Sequence, residues 1–378
     1  YEIMPSLVGS EMCIRDSNST AEQLWKFMET DLTEAITSGK LTSKTSLEDR
    51  DGGTRATLEA ARCLLGKIYL YQEKYADAKS ELEKVISSGK YDLIADVSTF
   101  YHPASAGCKE YVLECVRHYD PSNMYSQEGW FGILANWGFG YGFIAGPEAS
   151  MHYKFNTTSG YSYFNPSKSL YDAFVAEEGA DGYRLNAWIR TWEQVIAMNI
   201  AVNTTTNKYA SEGYFRLKWL ASTDDEFVGY WCGNQSNTPV IRYADVLLMA
   251  AEACLQAGDQ AGADEYLGRV RDRARLPRKS HVTLSDIKLE RRLELAMEGM
   301  RFQDLKRWGD APAVLADKGK KLPTFQIVPD PNNDLTTAAG IYNARYTTKT
   351  TYVDNEKSLA GWTPNRDEWL PFPENELE

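Results

Sequence analysis

The sequence predicts a mainly α-helical fold, in which helical pairs form a scaffold and an irregular, aromatic-rich loop lobe is inserted between them. Three observations support this prediction. Apolar residues recur at steps of three to four along much of the chain, which is typical of helices that bury one face. Two separate helical pairs share one spacing of small and large residues. Between these pairs, residues 100–164 contain 16 aromatic residues in 65 positions, about a quarter, against 12% for the whole chain.

The composition of the 378 residues is that of a folded globular protein, with 43% hydrophobic and 25% charged residues. The net charge of −12 makes nucleic acid and an anionic lipid surface poor partners, because like charges repel. No apolar run approaches the roughly 20 residues that a membrane-spanning helix needs. We therefore expect no nucleic-acid partner and no membrane-spanning segment.

The first 17 residues match no structural pattern. Residues 6–17, SLVGSEMCIRDS, resemble translated sequencing adapter. We interpret residues 1–17 as a non-native segment. On this interpretation the natural N-terminus is missing, and the lack of a visible signal peptide carries no information.

One helix is predicted over residues 18–39. Its apolar positions, which include Leu24, Phe27 and Leu32, recur at helical spacing. Ser19 or Thr20 can cap its start, and Gly39 ends it.

A helical pair is predicted over residues 54–93, and its spacing is that of a tetratricopeptide pair. Gly66 lets two helices approach closely, and Ala78, Leu82 and Val85 follow it by 12, 16 and 19 positions. Gly89 closes the second helix. Small residues at the crossing and large ones on either side explain this pattern.

A second pair over residues 240–277 repeats these offsets, with Ala251 in the close-packing position and Ala263, Leu267 and Val270 after it. Gly66 and Ala251 are 185 positions apart (251 minus 66), so the sequence does not predict a tandem array.

A third helical hairpin is predicted over residues 284–315. Residues 290–298 form its first helix, Gly299 breaks it, and residues 302–308 start the next.

Within the insertion of residues 100–164, residues 109–116 are predicted to form a short strand. Residues 165–194 return to a helical pattern, and residues 318–378 are predicted to wrap irregularly over the scaffold. The predicted organisation is therefore scaffold (18–99), insertion (100–164), scaffold (165–317) and C-terminal wrap (318–378).

Several long segments resemble those of the SusD/RagB family, and they occur in the family's order. They are ATLEAARCLLGKIYLYQEKYADA with the later SGKYDL, NPSKSLYDAFVAEEGADGYR, PVIRYADVLLMAAEA, ERRLELAMEGMRFQDLKRWG and LPFPENEL. The resemblance extends from about residue 20 to the C-terminus. The chain departs from the family in lacking the usual start, and so part of the ligand site of known relatives is absent.

This resemblance implies a non-enzymatic lipoprotein on the outer membrane of Bacteroidota, facing outward. It implies glycan binding and delivery of the oligosaccharide to a SusC-like TonB-dependent transporter. Membrane association would occur only through a lipid anchor that this chain lacks. No cofactor is implied, and whether calcium binds in the insertion stays open.

The aromatic insertion is the candidate ligand site. Flat rings stack on the apolar faces of sugars, while amide and charged side chains bond to the hydroxyl rim. The expected glycan-binding residues are Trp130, Asn136, Trp137, Tyr141, Tyr153, Tyr161 and Tyr163. The other interpretation of these rings is that they form the core of the insertion, and Phe139 and Phe143, which have no polar atom, fit that role best.

Residues 290–308 carry many charges, and two carboxylates at a suitable distance can serve a glycosidase. Glu294 and Glu298 lie one helical turn apart but among arginines, so local ion pairs explain them better. A helical-barrel glycoside hydrolase is therefore disfavoured, and no catalytic residue is predicted. A peptide-binding adaptor of tetratricopeptide type is the alternative function, although widely separated pairs argue against a continuous groove.

The chain shows no metal-ligand signature. Its four histidines, His102, His118, His152 and His281, lack the spacing of a metal site. Six cysteines are too few for a disulfide scaffold, and pairing of Cys108 with Cys115 stays open.

Overall fold

The computed structural model describes residues 19–52, 55–116, 143–144, 165–197, 201–202, 212–218, 237–334, 336–337, 339–340, 345–355 and 360–368. Its helices are α1 (Ala21–Thr37), α2 (Leu58–Tyr71), α3 (Tyr75–Ser87), α4 (Lys168–Glu178), α5 (Tyr183–Trp188), α6 (Trp192–Ala197), α7 (Tyr243–Gln256), α8 (Gln260–Arg273), α9 (Leu284–Glu294), α10 (Arg301–Arg307) and α11 (Ala311–Val314). Its strands are β1 (Tyr111–Cys115), β2 (Phe143–Ile144), β3 (Ile189–Thr191), β4 (Ala201–Val202), β5 (Tyr214–Arg216), β6 (Thr238–Arg242), β7 (Lys321–Pro329) and β8 (Tyr346–Asp354).

Helix predominates among the described residues, which confirms the prediction of a mainly α fold. None of the described helices combines the length and the apolar character that crossing a bilayer requires.

Helix α1 begins where the sequence predicts. The Thr20 hydroxyl accepts a hydrogen bond from the Gln23 amide, and the Gln23 side chain accepts one from the Thr20 amide, which forms a capping box. The backbone of Gly39, just beyond the helix, has φ +68°. No residue of α1 is buried, and Leu24 and Phe27 are 51% and 63% exposed. Its apolar spacing therefore predicts the helix correctly, but these side chains are not part of the core.

The pair α2 and α3 has the predicted close crossing. A Cβ on Gly66 would come within 2.8 Å of Leu82 Cγ and 3.5 Å of the Ala78 carbonyl oxygen. A side chain at this position would therefore force Leu82 to shift. Ala78, Leu82 and Val85 are fully buried, as the spacing predicts.

The pair α7 and α8 repeats this arrangement. Ala251, Ala263, Leu267 and Val270 are at most 1% exposed. Residues 240–242, which the sequence assigns to this pair, belong instead to strand β6. The β-branched residues of this segment favour strand when a partner strand is available, and β1 supplies it.

The two pairs lie against each other and form one body, which we call the helical stack (α2, α3, α7 and α8). Leu82 of α3 and Val246 of α7 belong to one apolar core. At the surface, Lys79 Nζ of α3 lies 2.6 Å from Oδ2 of Asp259, the N-cap of α8. The two pairs therefore pack together in space although 185 positions separate Gly66 from Ala251 along the chain.

The third hairpin is shorter than predicted. Helix α9 begins at a capping box formed by Thr283 and Asp286 and ends at Glu294 rather than at Glu298. Left-handed backbone at Met297 (φ +64°) and at Gly299 (φ +81°) ends the helical path. The predicted break at Gly299 is present, and α10 follows it.

The C-terminal region differs from the irregular wrap predicted for it. Strands β7 and β8 form an antiparallel hairpin with nine paired positions, from Lys321 opposite Asp354 to Pro329 opposite Tyr346. Prolines suggested an irregular path, but a strand of a two-stranded hairpin has a free edge on which proline is tolerated. The Thr, Tyr and Val residues of β8 favour the strand conformation. The division into four regions stays a prediction, and residues 1–17 lie outside the described ranges.

Candidate functional site

The residues predicted to bind glycan lie outside the part of the chain that the structure describes. Trp130, Asn136, Trp137, Tyr141, Tyr153, Tyr161 and Tyr163 all fall within residues 117–142 and 145–164. Their assignment stays a prediction. The structure does describe the points at which these segments join the scaffold.

Strands β1 and β6 fix one of these points. They pair antiparallel, and the pair Cys115 with Thr238 lies at the end of the ladder. Beyond this end, β1 continues towards residue 117, while β6 follows residue 236. The Asn237 amide also donates a hydrogen bond to Glu114 Oε2 at 2.9 Å. Cys115 and Thr238, which lie next to the ends of the described ranges, are therefore side by side.

A second point joins the insertion to residues 201–202. Strands β2 and β4 pair antiparallel, with Phe143 opposite Val202 and Ile144 opposite Ala201. Further along the chain, β3 pairs with β5, and Lys218 follows β5 by two positions. Three two-stranded ladders therefore lie next to the points at which the described ranges end and resume.

At the scaffold ends of β1 and β6 lies a buried group of charges that we call the root cluster. All ten of its side chains are at least nine-tenths buried. Its members are five acids and five bases, namely Glu110, Glu178, Glu290, Glu294 and Glu298, and Arg184, Lys218, Arg242, Arg271 and Arg273. Equal numbers of each sign make this burial possible, since an unpaired charge in an apolar interior is very costly.

Glu294 lies at the centre of the root cluster. Its carboxylate accepts hydrogen bonds from Arg184 Nη1 at 3.1 Å, from Arg242 Nη2 at 3.0 Å, and from Arg273 Nη2. Burial favours the neutral acid, but the arginines outweigh it and hold the pKa of Glu294 well below its ordinary value. The side chain is therefore an anion that organises cations from three different elements.

Arg242, the last residue of β6, links Glu294 to the two neighbouring acids. Its Nη1 donates to Glu110 Oε1 at 2.6 Å, and its Nε donates to Glu298 Oε2 at 2.9 Å. Glu110 directly precedes β1 and accepts from Arg273 as well. The cluster thus fixes the scaffold ends of both β1 and β6.

Lys218 is the last residue before 219, and its ammonium group is held from several sides. Its Nζ donates to Glu298 Oε1 at 2.6 Å and to the carbonyl oxygens of Glu294 and Ala296. It also lies 3.8 Å from the centroid of the Trp188 ring, a cation–π distance. Burial lowers the pKa of Lys218 to about 8.

Aromatic rings close the root cluster against solvent. The guanidinium carbons of Arg242 and Arg273 lie 4.7 and 5.4 Å from the centroid of Phe100. The Trp188 indole donates to the Val97 carbonyl at 3.0 Å. These rings are buried, so they support the core rather than meet a ligand, which is the alternative interpretation that the sequence offers for rings near the insertion.

The acids of residues 290–298 are unsuited to glycosidase chemistry. A general acid needs a raised pKa and access to substrate, whereas Glu294 is fully buried with a lowered pKa. The prediction of local ion pairs is wrong for Glu294, because its partners are 21 to 110 positions away. Three acids at i, i+4 and i+8 of one segment were the sequence signal for distant arginines. Arg184 and Arg242 lie in motifs already noted, whereas Arg273 does not.

A second buried charge group, the helix cluster, joins helices only. Its members are Asp245, Glu252, Arg291, Asp304 and Arg307. The Trp308 indole donates to Glu252 Oε1 at 2.9 Å. Arginines and Trp308 therefore pack this hairpin against α7.

One group of side chains within the described ranges has the composition of a metal site. Donor atoms of Glu83, Cys254 and Asp259 lie within 4.8 Å of one another. Burial raises the pKa of the Cys254 thiol to about 12, so it is protonated. Asp259 already binds Lys79 and caps α8. These contacts explain the group without an ion, and whether calcium binds in the insertion stays open.

The described cysteines are free thiols, including Cys108 and Cys115. No disulfide therefore joins these two residues in this structure.

Comparison with known proteins points to one family. The model of the SusD family matches residues 109–378. A SusD-like protein P38 of Formosa agariphila is 36% identical over 157 residues, which are 37% of this chain and 28% of that protein.

Solved structures agree with this match. A laminarin-binding SusD-like protein superposes with a TM-score of 0.67 at 30% identity, over 80% of this chain and 64% of that one. Surface glycan-binding protein A from Bacteroides thetaiotaomicron, in complex with laminarihexaose, gives a TM-score of 0.65 at 26% identity, over 79% of this chain and 64% of that one. The chain thus spans less than two thirds of these structures and less than a third of the curated relatives.

Proposed function

This chain belongs to the SusD family, and from that premise we propose that it binds an oligosaccharide at a bacterial cell surface without acting on it chemically. The observation that carries the proposal is the similarity to a laminarin-binding protein over 80% of this chain. A second solved relative holds laminarihexaose. Laminarin-type oligosaccharides are therefore the first ligands to test.

The arrangement of the scaffold supports a binding role. A rigid body of helices carries short strands, and these strands carry the segment that is rich in Trp, Tyr and Asn. Binding residues commonly lie on loops that a rigid scaffold positions. The two acids that we considered for catalysis, Glu294 and Glu298, are neutralised by buried cations, which favours binding over hydrolysis.

Delivery of the oligosaccharide to a SusC-like TonB-dependent transporter is part of the same proposal, as is a position on the outer surface of the outer membrane. Both rest on family membership. A pull-down from membranes of a native host tests them, and recovery of a β-barrel transporter with the protein is the expected result.

Calorimetry against a panel of polysaccharides tests the binding proposal. We expect laminarihexaose, or another oligosaccharide of the panel, to bind with a measurable Kd. If the folded protein binds no glycan at all, the proposal is wrong.

Two variants locate the site. Trp130→Ala and Trp137→Ala each remove a predicted stacking surface, and we expect each to weaken binding by roughly tenfold, about the value of 1–1.5 kcal/mol for an aromatic stacking contact. Circular dichroism should show unchanged helix content. Tyr352→Ala is the control, because Tyr352 is an exposed ring (51%) on the C-terminal hairpin, and it should bind like the parent. If both tryptophan variants also bind like the parent, the site lies elsewhere.

The helical stack gives a specific reason to keep the peptide-binding alternative. The two tetratricopeptide-type pairs are adjacent in space, which supports a surface shared by both pairs. Recovery of soluble peptides or proteins in the pull-down, in place of a transporter, would favour that function.

A further inference from the structure

An open groove runs along the surface of the helical stack, between α3 and α8. It is lined by the outer face of α3, from Ala76 to Ser87, and by the Tyr266 ring of α8. Its volume is about 630 Å³, which is within the range of sites that bind small ligands. Every residue that lines the groove belongs to the described ranges.

The sequence of α3 explains why this face is open. Leu82 and Val85 are fully buried in the core of the stack. Ala76, Ser80 and Ser87 are exposed and recur at a spacing that brings them to one face of the helix. Because these three side chains are small, they leave the space between the two helices unfilled.

Tyr266 forms the wall of the groove on α8. Its ring is partly buried against the core of the stack, and its hydroxyl donates a hydrogen bond to Glu83 Oε1 at 3.1 Å. Both contacts fix the ring before a ligand arrives, so a ligand that stacks on it pays little entropy for ordering it. A fixed flat ring beside an open space suits the apolar face of a sugar.

Two polar groups of the groove can bind sugar hydroxyls. Glu83 Oε2 and the Ser80 hydroxyl have no hydrogen-bond partner among the residues that the structure describes. A carboxylate oxygen accepts hydrogen bonds, while a hydroxyl group both donates and accepts them. Residues three positions apart are neighbours on a helix surface, so these two groups can bind adjacent hydroxyls of one ligand.

The charges around the groove are compensated, which favours a neutral ligand. Lys79 Nζ lies 2.6 Å from Asp259 Oδ2, and Lys84 Nζ lies 2.5 Å from Glu81 Oε1. An anionic ligand would have to compete with these carboxylates for the ammonium groups. The walls are helices, whose backbone groups bond within the helix, so they offer no strand edge with which an extended peptide could pair.

We propose that the groove between α3 and α8 is a second saccharide-binding site, which takes a short, neutral oligosaccharide on the Tyr266 ring. This inference rests on the proposed function for the class of ligand, but not on the residues predicted to bind glycan in the insertion. The groove is open and buries only part of a ligand, so we expect a Kd in the millimolar range. A second, weak site on the same chain keeps a polysaccharide close to the protein when it leaves the first site.

Titration with laminarihexaose and, separately, with maltohexaose, followed by NMR of the backbone amides, tests the proposal. We expect the amides of Ser80, Glu83 and Tyr266 to shift and to saturate. Tyr266→Ala removes the stacking surface and should raise this Kd roughly tenfold. The matched control is Tyr69→Ala, because Tyr69 is a partly buried ring on the same core that does not line the groove. Its Kd should stay within about twofold of the parent.

Ser80→Phe tests the groove without removing a packed ring. Ser80 is exposed, so the variant should fold, and the new side chain fills the groove. We expect no saturable shift of the α3 amides in this variant, while the Kd measured by calorimetry equals that of the parent. Asp77→Phe is the control, since Asp77 is exposed on the same helix but does not line the groove, and its α3 amides should shift as in the parent.

The outcomes distinguish this proposal from the proposed function. If the parent binds a glycan in calorimetry but neither hexasaccharide shifts the α3 amides, the second site does not exist and the proposed function stands. If casein-derived peptides shift these amides and the hexasaccharides do not, the groove binds peptide and the proposal is overturned. Equal shifts in the parent and in Trp130→Ala and Trp137→Ala support two independent sites, whereas loss of the shifts in those variants contradicts them.

Discussion

The helical stack and the root cluster are buried to the same degree, but different forces stabilise them. In the stack, Gly66, Leu82 and Val246 meet in apolar contact between helices. In the root cluster, Glu294 binds arginines from three distant elements. Apolar contacts tolerate the loss of one partner by leaving a cavity, whereas the loss of one ion leaves buried charges without partners. The stack should therefore be the more tolerant of the two regions to substitution.

The difference also bears on function. The stack holds helices to helices, while the root cluster holds the strands from which the predicted ligand-binding segments extend. Damage to the first should lower stability alone. Damage to the second should lower stability and glycan affinity together.

The largest effect is expected for Glu294→Ala. Three buried arginines lose a shared counter-ion, so the free energy of unfolding should fall by about 3–5 kcal/mol. Urea unfolding followed by circular dichroism measures it. Glu265→Ala is the control, since Glu265 pairs with Arg278 at the surface, where both side chains are about half exposed, and a loss below about 1 kcal/mol is expected there. A loss for Glu294→Ala no greater than that of the control would remove the distinction between the two regions.

A smaller loss, about 3 kcal/mol, is expected for Leu82→Ala. Leu82 is fully buried against Gly66, and its removal leaves a cavity in the stack. The same unfolding measurement applies, and glycan affinity should match that of the parent. A large loss of affinity in this variant would show that the stack and the binding segments are coupled after all.

The smallest effect is a difference in the response to acid. The pKa values of Glu294 and Glu298 lie below the ordinary 4.5, because burial, which raises them, is outweighed by Arg242 and other cations. As the pH falls, these carboxylates therefore take up protons in the unfolded chain before they do so in the folded protein. The stability that they contribute is complete above pH 4.5 and is lost at lower pH. Glu110 acts in the opposite direction, since burial raises its pKa.

Glu294→Gln should therefore lose less stability than the parent between pH 5 and 3, by about 1–2 kcal/mol. Leu82→Ala should lose as much as the parent, because its site holds no charge. If the parent and both variants lose the same stability between pH 5 and 3, the root cluster does not control the loss of stability in acid. Unfolding curves collected at several pH values supply the comparison.

The sequence by itself determined the elements that depend on near neighbours. Capping residues and helical spacing located α1, and Gly66 with Leu82 identified a helical pair before any contact was known. The order of long motifs indicated the family, and the family model agrees over residues 109–378. Such features are local because a helix repeats every 3.6 residues and its side chains meet within one or two turns.

Only the tertiary structure decided which distant elements meet. It placed the two helical pairs side by side, paired β7 with β8, and gave Glu110 a partner 132 positions away in Arg242. The physical reason is that the two partners of an ion pair or a β ladder are not separated by a fixed spacing along the sequence. Its partners are chosen by the path of the whole chain, and the sequence records only that a buried charge must have one.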